Sequence, residues 1–225
     1  MDILLVPGFM LDADLWRELR PQLERYGRIV DVDTTRDTSI EAMADRAVAR
    51  LSGPAVVIGF SMGGYVARAI CYRAPENIAG LALIATSTRG NPAAGTAARR
   101  AVSADAPPFR KLSQAAVMAS LHPAHRTPAT IARVQAMSER LGAADYRRQS
   151  EIVRISDVDR LCAIRCPTVV IAGAEDELRT IAESEALVHG IASSKLVVLH
   201  GSGHLIPIEM PDALMNALMP MLQRP

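Results

Sequence analysis

Ala55-Val56-Val57-Ile58-Gly59-Phe60-Ser61-Met62-Gly63-Gly64 is the stretch on which the reading of this chain turns. Ala55 to Phe60 is nearly all apolar, as suits a strand buried on both faces of a parallel sheet. A helix is expected from Met62 to about Ala74, where Pro75 ends it. Residues 59–63 therefore form a G-x-S-x-G pentapeptide at a strand–turn–helix junction. A serine at such a turn takes strained dihedrals. Small residues two positions before and after it let the neighbouring backbones approach without colliding Cβ atoms. The turn pushes the Ser61 hydroxyl out of the sheet. It also leaves the Met62 N–H at a helix N-terminus, where an anion is favoured.

A serine hydroxyl is a poor nucleophile and needs a base. The chain has five histidines, His122, His125, His189, His200 and His204. The first two fall in a helical region with no strand, His189 near a helix end, and His200 at the end of a strand. His204 follows in the flexible run Gly201-Ser202-Gly203, just past the last strand. Catalytic groups gather at the carboxyl ends of the strands of a parallel sheet, which favours His204 as the general base. The base needs an orienting acid. Gly173-Ala174-Glu175-Asp176 follows the strand ending at Ile171, and either carboxylate reaches from there. The other is expected to be a solvated turn residue with no role in the chemistry. The order serine, acid, histidine matches that of hydrolases carrying this pentapeptide. An oxyanion formed at Ser61 needs two donors: the Met62 N–H and, from Pro7-Gly8-Phe9-Met10, the Phe9 N–H.

Outward from this centre, short apolar runs alternate with longer amphipathic ones. Strands are expected at Ile3–Val6, Arg28–Val32, Ala55–Phe60, Leu81–Ala85, Thr168–Ile171 and Leu196–Leu199. Helices are expected at Asp14–Tyr26, from a capping box at Thr38-Ser39-Ile40-Glu41 to about Leu51, at Glu177–Val188 and at Asp212–Leu222. The alternation implies right-handed βαβ units, a parallel sheet and helices on both faces. From about Arg89 to Arg160 the rhythm breaks. Ala115–Leu121, Ile131–Leu141 and Tyr146–Ile155 read as short helices joined by turns, with Pro107-Pro108 and Pro123 as breaks. Residues 89–160 are read as a helical cap inserted into a core made of 1–88 and 161–225.

Composition bounds the rest. At 225 residues, with 49% hydrophobic and 22% charged, the chain suits one globular α/β domain. A net charge of +1 gives no reason to expect nucleic acid or an anionic membrane as partner. Cys71, Cys162 and Cys166 make no disulfide framework, and no His/Cys cluster completes a metal site around the last two. No run approaches a membrane span, and the apolar N-terminus lacks the basic start of a signal peptide. A cytoplasmic protein is expected.

Leu4-Leu5-Val6-Pro7-Gly8-Phe9, the elbow Gly59 to Gly64, Cys166-Pro167-Thr168 leading to Gly173 and Asp176, and Gly203-His204 with Glu209 and Pro211 together resemble the α/β-hydrolase superfamily over almost the whole length. The chain is similar to small-molecule carboxylesterases, enol-lactone hydrolases and pimeloyl-carrier-protein methyl ester esterases. The resemblance places the acid at Asp176. It implies acyl transfer from a small ester, thioester or lactone through an acyl-serine, without cofactor or metal. Carbon–carbon hydrolysis or lysis with the same residues, and a ligand receptor without turnover, are the alternatives. Pro7-Gly8 departs from the usual His-Gly, and two strands that usually precede Ile3–Val6 are missing. About six parallel strands without the usual antiparallel edge are therefore expected.

Overall fold

The computed structural model describes residues 1–91 and 109–223. The Pro107-Pro108 break and most of the first third of the 89–160 segment lie outside the described residues. Six parallel strands form one sheet in the order β2-β1-β3-β4-β5-β6. They are β1 (Asp2–Val6), β2 (Arg28–Asp31), β3 (Ala55–Phe60), β4 (Ile78–Ile84), β5 (Thr168–Gly173) and β6 (Ser194–Leu199). Among the described residues the α-helices are α1 (Arg20–Leu23), α2 (Ile40–Val48), α3 (Met62–Arg73), α4 (Gln114–Ala119), α5 (Pro128–Ser150), α6 (Ile181–Gly190), α7 (Ile206–Glu209) and α8 (Pro211–Leu222).

The alternation of side chains along a strand splits the core in two. Ile3, Leu5, Val56, Ile58, Phe60, Ala82 and Ile84 face one side, where Leu15, Trp16, Leu19 and the α8 residues Leu214 and Leu218 cover them. Leu4, Val6, Ala55, Val57, Leu81 and Leu83 face the other, under Met43 of α2, Val66 and Ile70 of α3 and Leu187 of α6. With both faces covered, the central strand β3 is buried at every residue, which accounts for its unbroken apolar run. The edge strands β2 and β6 are only partly buried and carry more polar residues.

Several elements differ from the sequence expectation. Asp14–Tyr26 is not one helix but a 3₁₀ turn at Ala13–Trp16 followed by α1. The Asp12 carboxylate accepts from the Asp14 N–H to start the turn, and Pro21, which lacks an N–H, is tolerated only in a helix's first turn, so a new helix starts at Arg20. The capping box at Thr38 does not form. Ser39 is the cap, accepting from the Ala42 N–H, and α2 stops at Val48, short of Leu51. The helix expected from Glu177 starts at Ile181, because Asp176 accepts the Leu178 and Arg179 N–H groups and holds them in a loop. Ile131–Leu141 and Tyr146–Ile155 fall, as expected, on two helical stretches, together α5, that meet at Gly142 with its non-helical φ of 74°, but the second stops at Ser150, so that Ile152 to Ile155 lie outside it. Glycine takes this backbone without steric cost.

Between β4 and β5 the described residues hold α4, a 3₁₀ turn at Pro123–His125, α5 and a second 3₁₀ segment at Val158–Ala163. Fully buried Arg68 of α3 ties the two ends of this segment together. Its guanidinium donates to both Asp157 carboxylate oxygens at 2.7 and 2.9 Å and to the Ser87 carbonyl at 3.1 Å. The arginines of α5 fasten it to the loop after β1. Arg140 donates to Asp12 at 2.7 Å and Arg133 to Glu18 at 2.7 Å.

At the foot of the sheet, Asp2 of β1 stands in register with Arg28 of β2. The buried Asp2 carboxylate accepts two bonds from Arg28 at 2.8 Å and one from the Ser52 N–H at 2.8 Å. The Arg28 guanidinium, and then Ser52, hold this carboxyl well below the usual carboxylate range against the opposing effect of burial. A depressed folded-state pKa stabilises the fold above the unfolded value, and the contribution is lost as pH falls through and below it. Asp2→Asn is therefore expected to cost about 1–3 kcal/mol at pH 7, read as a shift in urea midpoint. The difference from wild type should shrink below about pH 4.

Candidate active site

Ser61 sits at the junction of β3 and α3 with φ 51° and ψ −113°, a conformation costly for a residue with a Cβ. The surrounding packing enforces it. A Cβ on Gly63 would lie 2.2 Å from the Val6 carbonyl oxygen, and one on Gly59 would lie 2.6 Å from both Ala67 Cβ and the Gly63 oxygen. Only with both positions bare does the first turn of α3 reach the end of β1. The Ser61 N–H donates to the Ile84 carbonyl of β4 at 2.9 Å, and the Thr86 hydroxyl donates to the Ser61 carbonyl at 2.7 Å, so the strained residue is held from both sides.

The structure brings the Ser61, His204 and Asp176 side chains together. Ser61 Oγ lies 2.9 Å from His204 Nε2, and His204 Nδ1 lies 2.8 Å from Asp176 Oδ2. Asp176 Oδ1 accepts the Leu178 and Arg179 N–H groups at 2.8 and 3.0 Å. The carboxylate is thus fixed at one oxygen by backbone and leaves the other for the imidazole. With Asp176 Oδ2 acting as acceptor, Nδ1 carries the proton and Nε2 is left as an acceptor for the serine hydroxyl. The Phe60 ring packs beside the imidazole, centroids 5.1 Å apart. Of the remaining histidines, His125 touches the site's periphery, its Nε2 lying 3.2 Å from the Gly201 carbonyl oxygen.

The loop that carries His204 is clamped by two carboxylates. Glu175 Oε2 accepts the Gly201 and Ser202 N–H groups at 2.8 and 3.1 Å. Glu175 is exposed, as expected of a solvated turn residue. It does not reach the imidazole, but it holds the loop that bears it. Buried Glu209 accepts from the Ser202 hydroxyl at 3.0 Å and from the Gly203 N–H. The Ser120 carbonyl, after α4, accepts the His204 N–H at 3.0 Å. Glu209 was visible in the sequence only through resemblance, and Glu175 only as an alternative acid. Nothing in the sequence marked Ser120, whose contribution is a backbone oxygen.

The loop after β1 meets the elbow. A Cβ on Gly8 would lie 3.3 Å from Ser61 Cβ. The loop closes as a turn, the Leu11 N–H donating to the Gly8 carbonyl at 3.3 Å. Among the described residues neither the Phe9 nor the Met62 N–H meets a protein acceptor. Also among the described residues, no cluster of three or more His, Cys, Asp or Glu is arranged to hold a metal ion, and no helix is long and apolar enough to cross a membrane.

The family model described as "Alpha/beta hydrolase family" matches residues 3–217. The chain belongs to the alpha/beta hydrolase family. The pimeloyl-[acyl-carrier protein] methyl ester esterase of Aromatoleum aromaticum is 28% identical to this hydrolase over 94% of each chain. The enzyme of that name from Sodalis glossinidius is 31% identical over 96 residues, which are 39% of this chain and 37% of that protein. Among solved structures, a thermophilic esterase from Thermogutta terrifontis superposes with a TM-score of 0.82 at 28% identity, covering 99% of this hydrolase and 89% of that chain.

The Glu209 clamp is testable apart from the chemistry. Glu209→Ala leaves the buried Gly203 N–H and Ser202 hydroxyl without their acceptor. It is expected to cost about 1–3 kcal/mol. For a chain of this size that is a fall of roughly 2–4 °C in thermal midpoint per kcal/mol. An unchanged midpoint by circular dichroism would mean that the loop holds itself.

Proposed function

We propose that this protein is a serine hydrolase that cleaves a small carboxylic ester, thioester or lactone through an acyl-serine intermediate. The observation that carries the reading is the unbroken hydrogen-bonded relay from Ser61 Oγ through His204 to Asp176, ending on backbone N–H groups. Ser61 attacks the acyl carbonyl while His204 Nε2 takes its proton. Asp176 keeps the imidazole in the tautomer that can accept it and stabilises the imidazolium that forms. The carbonyl oxygen becomes an oxyanion, for which Phe9 in the turn after β1 and Met62 at the start of α3 supply free N–H groups. The imidazolium then protonates the leaving alcohol, thiol or lactone oxygen as the tetrahedral centre collapses. Water repeats the cycle on the acyl-enzyme and restores the serine. No residue in this sequence of steps needs a metal or cofactor.

The activities of the relatives support the ester assignment: two are carrier-protein methyl ester esterases and the structural neighbour is an esterase. Residues 89–160 act in this reading as a cap that shapes the substrate site. The contact of the Ser120 carbonyl with the His204 N–H supports that role, since it joins the segment directly to the relay.

A fluorophosphonate probe is expected to add its mass to Ser61 alone, read by peptide mass spectrometry, and Ser61→Ala should take up none. On a panel of p-nitrophenyl esters, thioesters and lactones, Asp176→Asn is expected to lower turnover by about 10⁴-fold and Ser61→Ala by more than that. Labelling at another serine, or an undiminished Asp176→Asn, would overturn the assignment.

A further inference from the structure

The turn after β1 is under strain at Met10, a buried residue with a φ of 56°. A positive φ at the third position of a four-residue turn suits glycine, and a side chain there favours the alternative turn reached by flipping the central peptide. The central peptide of Gly8-Phe9-Met10-Leu11 joins Phe9 to Met10. Its N–H points away from the turn to a side chain that arrives from far along the chain: the Met10 N–H donates to Gln149 Oε1 at 2.8 Å.

Gln149 is fully buried and its amide is oriented without ambiguity. Its Nε2 faces two oxygens of Thr34, the carbonyl at 3.2 Å and the hydroxyl at 3.3 Å. Turning the amide over would set Oε1 against those oxygens and Nε2 against the Met10 N–H. The same stretch of α5, beyond the Gly142 break, also grips the neighbouring residue. Tyr146, one helical turn before Gln149, meets the Phe9 ring edge-on with centroids 5.7 Å apart, and Phe109 stacks on Tyr146 at 4.1 Å. One face of α5 therefore holds the Phe9 side chain and the Phe9–Met10 peptide together.

We propose that Gln149 is a positioning residue for the oxyanion hole. Its side-chain carbonyl holds the Phe9–Met10 peptide while Tyr146, on the same face of α5, holds the Phe9 ring, and together they keep Phe9, whose N–H is the donor, seated beside the reacting oxygen. The inference rests on the reading of Ser61 and Phe9 given under Proposed function. Gln149 touches no reacting atom. Its effect belongs to the tetrahedral state, where charge sits on that oxygen, and not to ground-state binding.

The test uses the full-length protein and an aryl trifluoromethyl ketone. Ser61 Oγ adds to the ketone carbon, its proton passes to His204, and the carbonyl oxygen becomes a hemiketal oxyanion, visible by its ¹⁹F shift. Gln149→Met fills similar space with only a weak thioether acceptor. It is expected to lower kcat on a p-nitrophenyl ester about 10- to 100-fold, less than the roughly 10²–10³-fold of losing a donor outright. The ketone should weaken by the same factor, with KM changed by no more than about two-fold. Gln149→Glu keeps the acceptor for Met10 and gives up the donation to Thr34. It is expected to restore ketone affinity to within about three-fold of wild type even where its thermal midpoint falls. Unchanged kcat and ketone affinity in Gln149→Met would overturn the proposal. So would a loss of ketone affinity in a folded Gln149→Glu protein, which decides the matter alone if Gln149→Met does not fold. Absence of any hemiketal in the wild type would instead overturn the underlying reading of Ser61.

Discussion

The start of α3 lies hard against the ends of β1 and β3. Gly63 lies under the Val6 carbonyl, and Gly59 lies under Ala67 and the Gly63 carbonyl, at distances that admit no Cβ. Everything at the carboxyl edge of the sheet follows from that contact. It forces Ser61 into a positive φ, sets its hydroxyl at the top of the central strand, and brings the loop after β1 within reach of the serine. The strain at Ser61 is sustained because β4 holds its N–H and Thr86 its carbonyl. A conformation unfavourable to one residue persists when its surroundings overdetermine it.

The same economy appears on the histidine side. Asp176 and Glu175 are adjacent, yet they act on different partners. Asp176 meets the imidazole, and Glu175 binds the backbone of the loop before it. Glu209 and the Ser120 carbonyl complete the enclosure. A further close approach, Gly173 against the Gly203 carbonyl, lets the loop lie on the end of β5, where a Cβ would come within 2.2 Å of that oxygen. His204 is therefore placed by backbone bonds on every side, and its ring is left free to face Asp176 and Ser61.

Among the described residues, the segment between β4 and β5 meets the His204 loop through Ser120 and His125 and the turn after β1 through Gln149 and Tyr146. Its arginines pair with Asp12, Asp14 and Glu18, so the helix that bears Gln149 is anchored on the loop whose peptide it holds. A change of packing in this segment thus reaches both His204 and Phe9, the proposed oxyanion donor.

How much of this was legible follows from the range of the forces involved. Apolar runs with turn residues after them identified all six strands, because a doubly covered parallel sheet leaves its imprint in every buried residue. The elbow was legible because a strand, a serine between glycines and a helix are contiguous. His204 was favoured because it follows the last strand, whereas the strand end before Glu175 and Asp176 left both carboxylates open and resemblance alone pointed to Asp176. The helix boundaries at Asp14–Tyr26, Thr38–Leu51 and Glu177–Val188 were misjudged where a single side-chain bond or a proline outweighed periodicity. What the sequence by itself determined is the sheet, the serine turn and the identity of the groups that can meet it. Only the tertiary structure decided which carboxylate faces the histidine, what holds its loop and what locks the turn after β1. Those choices rest on hydrogen bonds between residues as distant as Met10 and Gln149, and such bonds leave no periodic trace along the chain.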